Sequence, residues 1–224
     1  MTNGAGKGQK KVFLVDDHPL VREWLTNLIN QQPDLAVCGE SENAPQALQA
    51  IAASKPDVAI VDISLKDSSG FELIKDIKEL HPKVAVLVLS MHEEAHYGER
   101  ALRAGAMGYV MKRETTKKVV HAIRRVLAGN LYVSESLAEA MTMQLVKGKT
   151  LAGTSPVEQL SDRELEVFEL LGQGLGTRKI AEKLRVSVKT VQAYCARVKE
   201  KMNLNSATEL LREAIRWNET RFPR

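Results

Sequence analysis

Apolar residues in the first half of the chain follow two alternating rhythms. Short unbroken runs at 12–15, 35–38, 58–61, 84–89 and 109–111 have the length and branched content of buried strands. Between them, apolar positions recur three and four apart. Leu20, Trp24, Leu25, Leu28 and Ile29 form one stripe, Ala47, Leu48 and Ile51 a second, and Phe71, Ile74, Ile77 and Leu80 a third. Residues 93–104 continue the series as a less apolar helix, and Val119, Ile123, Val126 and Leu127 close it. Five strands alternating with five helices predict an α/β, doubly wound, five-stranded parallel sheet over 11–128. Ligands of such sheets sit at the carboxyl ends of the strands.

The rhythm then changes. Gly129-Asn130 ends the fifth helix, and 136–147 allows one more. Residues 148–156 are rich in Gly, Thr and Ser without apolar periodicity, which is a linker signature. From 160 to 218 the pattern is all helical. Ser161 is positioned to cap a first helix, with Glu164 in capping-box register and Leu165, Phe168 and Leu171 as its apolar face. Gly172 and Gly174 end it. A short helix spans 178–184, a third capped by Ser187 runs to about Met202, and a fourth capped by Ser206 runs through Trp217. The predicted organisation is a tail (1–10), an α/β domain (11–128), a linker (129–157), an all-α four-helix domain (158–218) and a tail (219–224).

Composition narrows the class. The 224 residues are 44% hydrophobic and 27% charged, as in soluble globular proteins. No apolar run approaches the roughly 18 residues a membrane span needs. The polar first residues resemble no secretory signal. Cys38 and Cys195 lack metal-ligand spacing and read as free thiols in a reducing compartment, which predicts a cytoplasmic protein. Charge is unevenly spread. Residues 177–201 carry eight basic and two acidic side chains, a local +6 within a chain of net +4, so the remainder sums to −2. A basic block of this kind fits a polyanionic partner, and equally an ordinary solvated helix face.

Asp16 and Asp17 follow the first predicted strand, and Asp62 follows the third. Strands one and three are neighbours in a doubly wound sheet, so these carboxylates converge. Three carboxylates repel one another unless a cation intervenes, and hard oxygen ligands suit Mg²⁺. Ser90 ends strand four and Lys112 ends strand five at the same edge. A hydroxyl, an ammonium and a divalent ion around one carboxylate make a site for a transferred phosphoryl group. Each residue alone is ordinary; the five together are not.

These residues carry a resemblance. Val15-Asp16-Asp17-His18-Pro19-Leu20, Val61-Asp62-Ile63-Ser64-Leu65 with Gly70-Phe71-Glu72-Leu73, then Ser90, and Gly105-Ala106-Met107-Gly108-Tyr109 before Lys112, resemble the receiver domain of bacterial two-component response regulators. The resemblance implies that Asp62 accepts phosphate from a sensor histidine kinase. It implies that Asp16, Asp17, Asp62 and the Ser64 backbone carbonyl surround Mg²⁺, and that Ser90 and Lys112 contact the phosphoryl oxygens. Tyr109 matches the aromatic that rotates as Ser90 moves, or is an ordinary strand aromatic. Many receivers have proline after the lysine; here it is Arg113.

In the second domain, two helices separated by Arg185-Val186-Ser187 have helix-turn-helix spacing. The second would be roughly 21 Å long, enough to lie in a major groove. Val188, Val191, Val198 and Met202 are its predicted inward positions, with Lys189, Gln192, Arg197 and Lys199 outward. Basic residues hold the phosphate backbone, and Gln192 has the bidentate pattern that reads adenine. Residues 161–167, 180–184, 186–191 and Lys201-Met202 resemble the LuxR-type DNA-binding domain, and the whole chain resembles a NarL/FixJ-family response regulator. The DNA-contact set this implies is Thr177, Arg178, Lys179, Ser187, Lys189, Thr190, Gln192, Ala193, Ala196, Arg197, Lys199 and Lys201. The second helix has Gly176 and Lys179 where the family usually has Ser and Glu. The recognition helix has Gln192 and Ala196 where family lysines touch bases, so no operator sequence carries over. Tyr194 either meets a phosphate or packs, and Cys195 reads as a small core residue ahead of a redox switch.

The expected function is a phosphorylation-dependent transcription regulator that binds double-stranded promoter DNA as a homodimer, without membrane association. Leu210, Leu211, Ala214 and Ile215 are its dimer-contact candidates. It is expected to be no enzyme beyond self-phosphorylation and slow autodephosphorylation. A phosphatase using an Asp nucleophile would want a second acid two residues on, where Ser64 stands. The alternative is a kinase-independent regulator whose receiver serves only as a dimerisation module.

Overall fold

The computed structural model describes residues 8–65, 69–146, 156–184 and 186–221. The predicted linker 148–156 (save Pro156), most of the N-terminal tail, the end of the C-terminal tail and Arg185 lie outside the described residues. The chain divides into two compact units, one through Met143 and one from Gln144.

In the first unit, β1 (Lys10–Val15), β2 (Leu35–Ser41), β3 (Val58–Val61), β4 (Ala85–Ser90) and β5 (Gly108–Met111) form one sheet in the order β2-β1-β3-β4-β5. All pairs are parallel. Helices α1 (Pro19–Asn30), α2 (Ala44–Ser54), α3 (Gly70–Leu80), α4 (Glu94–Ala104) and α5 (Thr116–Leu127) connect and flank the strands. β3 and β4 are buried at every position, because helices cover both faces of the sheet. One side of the core joins Val12, Leu14, Ile60 and Leu87 of the strands to Leu25 and Ile29 of α1 and Val119, Ile123 and Val126 of α5. These are the periodic positions of the predicted stripes. β1 and β3 pair with Val15 opposite Val61, so the residues that follow them, Asp16 and Asp62, emerge side by side. Gly70 is required where α3 begins. A Cβ there would collide with the Asp62 carbonyl and lie 2.5 Å from Ile63 Cα.

The segment after α5 departs from the predicted linker. Tyr132 adds a parallel bridge to the open edge of β5: its N–H donates to Met107 O (3.0 Å), and its carbonyl accepts from Tyr109 N–H (2.8 Å). Gly108 makes room for this, since a Cβ would stand 2.8 Å from Tyr132 O. Helix α6 (Glu135–Val146) follows and seats Leu137, 7% exposed, against α4. The helix expected at 136–147 exists, but residues through Met143 pack as part of the first unit.

The second unit holds α7 (Asp162–Gly172), α8 (Thr177–Leu184), α9 (Val188–Lys201) and α10 (Ala207–Arg221), after a 3₁₀ turn at Pro156–Gln159. Its core is Leu165, Phe168, Ile180, Val191, Val198, Leu210 and Ala214. The predicted capping box is present: Ser161 Oγ accepts the Glu164 N–H, and Glu164 Oε2 accepts the Ser161 N–H at 2.8 Å.

Candidate functional site

The parallel sheet delivers five predicted side chains to one edge, because each stands at or just after a strand end. Lys112 Nζ lies 2.6 Å from Asp16 Oδ2 and 2.6 Å from Asp62 Oδ2. All three side chains are at most 7% exposed. The second oxygens are also held: Asp16 Oδ1 accepts the His18 N–H at 2.9 Å, and Asp62 Oδ1 accepts the Ser64 N–H at 3.1 Å. Burial and the neighbouring Asp62 charge push the Asp16 carboxyl above its ordinary value, against the pull of Lys112. Burial would lower the Lys112 ammonium, but Asp62 and Asp16 outweigh it and hold it above its ordinary value.

Three carboxylates against one ammonium leave the pocket doubly negative. Asp16, Asp17 and Asp62, with His18, each offer a ligand atom within 4.8 Å of the others. Asp17 Oδ1 is buried and accepts no hydrogen bond from the described residues; His18 Nδ1, though 2.7 Å away, makes none with it. A buried acceptor without a donor, in a set of hard oxygens with two surplus negative charges, fits a divalent cation.

Ser90 is fully buried at the end of β4, and its Oγ accepts the His92 N–H at 3.2 Å. Tyr109, 2% exposed, donates its hydroxyl to the His92 carbonyl at 3.0 Å. His92 Nε2 in turn lies 2.6 Å from Ser64 Oγ. Ser64, Ser90, His92 and Tyr109 are therefore one hydrogen-bonded chain beside Asp62. Sequence reading missed His92, although it stands two residues after Ser90 as Ser64 stands two after Asp62. It also missed the pairing of Arg113. That guanidinium binds Glu93 at two points, 2.7 and 2.9 Å, and so joins the loops after β4 and β5.

In the second unit, α9 presents Lys189, Gln192, Ala193, Ala196 and Arg197 to solvent; α8 presents Lys179 and Arg178, with Thr177 half-buried. Ser187 Oγ caps α9 by accepting the Thr190 N–H at 3.0 Å, and the two hydroxyls lie 2.8 Å apart. The Arg197 guanidinium lies 5.7 Å from the Tyr194 ring centre, a cation–π contact on the surface of α9. Cys195 is half-buried, and burial raises its thiol pKa.

The structure corrects the placement of Val188 and of two dimer candidates. Val188, placed inward by periodicity, is 38% exposed at the first position of α9, whereas Val191 in the same turn is fully buried. Lys201 is tied to the scaffold: its Nζ lies 2.7 Å from Glu164 Oε2 and donates to Gln159 O at 3.2 Å. Burial would raise the Glu164 carboxyl, but hydrogen bonds from Lys201 and Ser161 hold it below its ordinary value. Of the dimer candidates, Leu210 and Ala214 are 3% and 0% exposed and belong to the domain core, while Leu211 and Ile215 are 41% and 38% exposed. Adjacent helical residues point about 100° apart, so one residue's difference separates core from surface. Lys199 is half-buried.

Comparison with known proteins agrees with both halves. Residues 12–124 match the response regulator receiver domain, and residues 158–214 match the bacterial regulatory proteins of the luxR family. The oxygen regulatory protein NreC of Staphylococcus haemolyticus is 34% identical over 210 residues, covering 92% of this chain and 97% of that protein. Among solved structures, RcsB of Salmonella enterica serovar Typhimurium, bound to promoter rprA in the presence of phosphomimetic BeF3-, is 25% identical. It covers 92% of this chain and 98% of its own, with a TM-score of 0.58. A LuxR-family response regulator from Aurantimonas sp. SI85-9A1 is 32% identical over 62% of this chain and 99% of its own, with a TM-score of 0.57.

Proposed function

The chain belongs to the NarL/FixJ-type response regulators, a receiver domain joined to a LuxR-type DNA-binding domain, and from that premise we propose that it is a phosphorylation-switched transcription regulator. Asp62 accepts a phosphoryl group from the phosphohistidine of a sensor kinase. A carboxylate oxygen bonds to phosphorus as the P–N bond breaks, and the histidine leaves. Asp16, Asp17, Asp62 and the Ser64 carbonyl would hold Mg²⁺, which supplies neutralisation of phosphoryl charge. The observation that carries this reading is the Lys112 ammonium, buried and 2.6 Å from both Asp16 and Asp62.

Lys112 then follows the charge. The acyl phosphate places more negative charge beyond Asp62 than the bare carboxylate did, so the ammonium and the Ser90 hydroxyl turn toward the new oxygens. Ser90 shares the His92 loop with Tyr109, and a shift of Ser90 draws on both bonds at once. The receiver is thus a two-state element biased by one covalent charge. In the other unit, Lys189, Gln192 and Arg197 of α9 engage the major groove of promoter DNA. Two copies pair on neighbouring half-sites in the cytoplasm; what supports the pairing is that RcsB is described as dimers bound to DNA. Leu211 and Ile215 are the exposed apolar residues of α10 available to that pairing. No turnover of an external substrate is proposed beyond slow loss of the phosphoryl group.

Intact mass after incubation with acetyl phosphate and Mg²⁺ tests the first step. The chain should gain one phosphoryl group and Asp62→Ala none; a gain by Asp62→Ala, or by neither, overturns the reading. Sedimentation with beryllofluoride should then show a monomer-to-dimer shift that Asp62→Ala abolishes.

A further inference from the structure

We propose that residues 131–143 form a latch on the receiver, docked on α4 and β5 while Asp62 is unmodified and released when it is phosphorylated. The inference rests on the phosphoacceptor reading above.

Three anchors hold the segment, and the first two are fastened beside switch residues. The first is the backbone bridge of Tyr132 to β5. One of its two hydrogen bonds comes from the N–H of Tyr109, whose hydroxyl holds the His92 carbonyl at 3.0 Å. The second is Glu94. Its carboxylate, 7% exposed, accepts the Ser134 N–H at 2.9 Å across 40 residues of sequence. Glu94 begins α4 two residues after His92. The third is Leu137, seated on Gly98 in the middle of α4. A Cβ at Gly98 would stand 2.5 Å from Leu137 Cδ2 and 2.9 Å from Glu94 Cγ.

Gly98 is informative because its backbone does not require glycine; its φ is not in the left-handed region. Glycine inside a helix weakens it. The compensating feature here is the space that admits Leu137. The only other face α6 offers among its described buried or half-buried residues is Met141, one turn on. The docking is therefore local and shallow, as a releasable contact must be. Ser90, His92 and Tyr109 connect Asp62 to the start of α4 and to β5, which carry all three anchors. A displacement of α4 against β5 cannot keep the Glu94 bond, the Gly98 seat and the Tyr132 bridge together. Release would lengthen the tether leading toward the DNA-binding domain. The same coupling must run backward: undocking the segment must favour the phosphorylated state.

The test is hydrogen exchange of the full chain with Mg²⁺, with and without beryllofluoride, while fluorine NMR reports the Asp62 adduct independently. We expect the amides of Tyr132 and Ser134 to exchange at least about fivefold faster in the adduct. Gly98→Leu keeps α4 helical and places a side chain in the seat of Leu137; Leu137→Ala removes the knob instead. Both variants should show fast exchange without beryllofluoride and bind it at least about fivefold more tightly. An adduct with unchanged exchange overturns the latch, as do undocked variants with unchanged beryllofluoride affinity. Absence of any adduct on the wild-type chain overturns the phosphoacceptor reading, and the latch falls with it.

Discussion

Asp16, Asp62 and Lys112 come from three strand ends, as many as 96 positions apart in the chain, and are all at most 7% exposed. The charges of α9 lie within one 14-residue helix, and Lys189, Arg197 and Lys201 are exposed. The first cluster is built by the sheet and the second by helical repetition. Buried charges act strongly on one another because water does not screen them, and each needs a partner. Exposed charges act on whatever approaches, and singly contribute little to stability. Lys201 stands between the two kinds: it is exposed itself, but its carboxylate partner Glu164 is 3% exposed. The lesson is that a charge's role follows its partner and its burial, more than the run of charges it sits in.

The sharpest way to break that contrast is Lys112→Ala. Removing the ammonium should slow phosphoryl uptake from acetyl phosphate by about a hundredfold, the scale of losing one preorganised charge stabiliser. It should also tighten divalent-cation binding at least about tenfold, since a repelling charge a few ångströms away is removed. Calorimetric titration reads the second effect. A Lys112→Ala chain that behaves like a variant of Lys189 would erase the distinction between the clusters.

Core and surface on α10 give the next largest difference. Leu210→Ala should cost about 2–4 kcal/mol in urea unfolding, as other buried leucines do. Leu211→Ala should stay within about 0.5 kcal/mol. The pair Leu211→Lys with Ile215→Lys should leave melting unchanged and weaken dimer formation in sedimentation.

Within the basic helices, Lys201→Ala should destabilise the second unit by about 1–2 kcal/mol, because Glu164 loses its charged donor. Arg197→Ala should leave melting unchanged and lower the salt slope of DNA binding by about one, as loss of a phosphate contact does. If the two variants exchange phenotypes, Lys201 belongs on the DNA face after all.

The smallest effect is the pH dependence of the same ion pair. Glu164 has a folded pKa below its ordinary value of 4.5. The pair's contribution is therefore full above pH 4.5 and is lost as pH falls below it toward the folded pKa. Glu164→Gln should flatten that part of the stability curve by about 1 kcal/mol or less, and unfolding midpoints at pH 6 and pH 4 measure it.

The strand and helix succession, the neighbouring of β1 and β3, the convergence of Asp16, Asp62 and Lys112, and the capping box at Ser161 were all legible in the chain. Those features rest on local rules: periodicity selects elements, capping residues start helices, and parallel crossovers bring strand ends to one edge. What the rules could not reach are pairings set by distance in space. Nothing in the spacing of His92 said that it joins Ser64, Ser90 and Tyr109. Nothing in Gly98 said that it makes room for Leu137, a residue distant in the chain. The same applies to Arg113 with Glu93, and to Lys201 with Glu164. Hydrophobic pattern and turn chemistry are properties of neighbours along the chain, so the sequence by itself determined the elements, their order and the residues at the strand ends. Which side chain meets which, whether a lysine faces DNA or its own scaffold, and where α6 rests depend on packing between distant segments, and only the tertiary structure decided them.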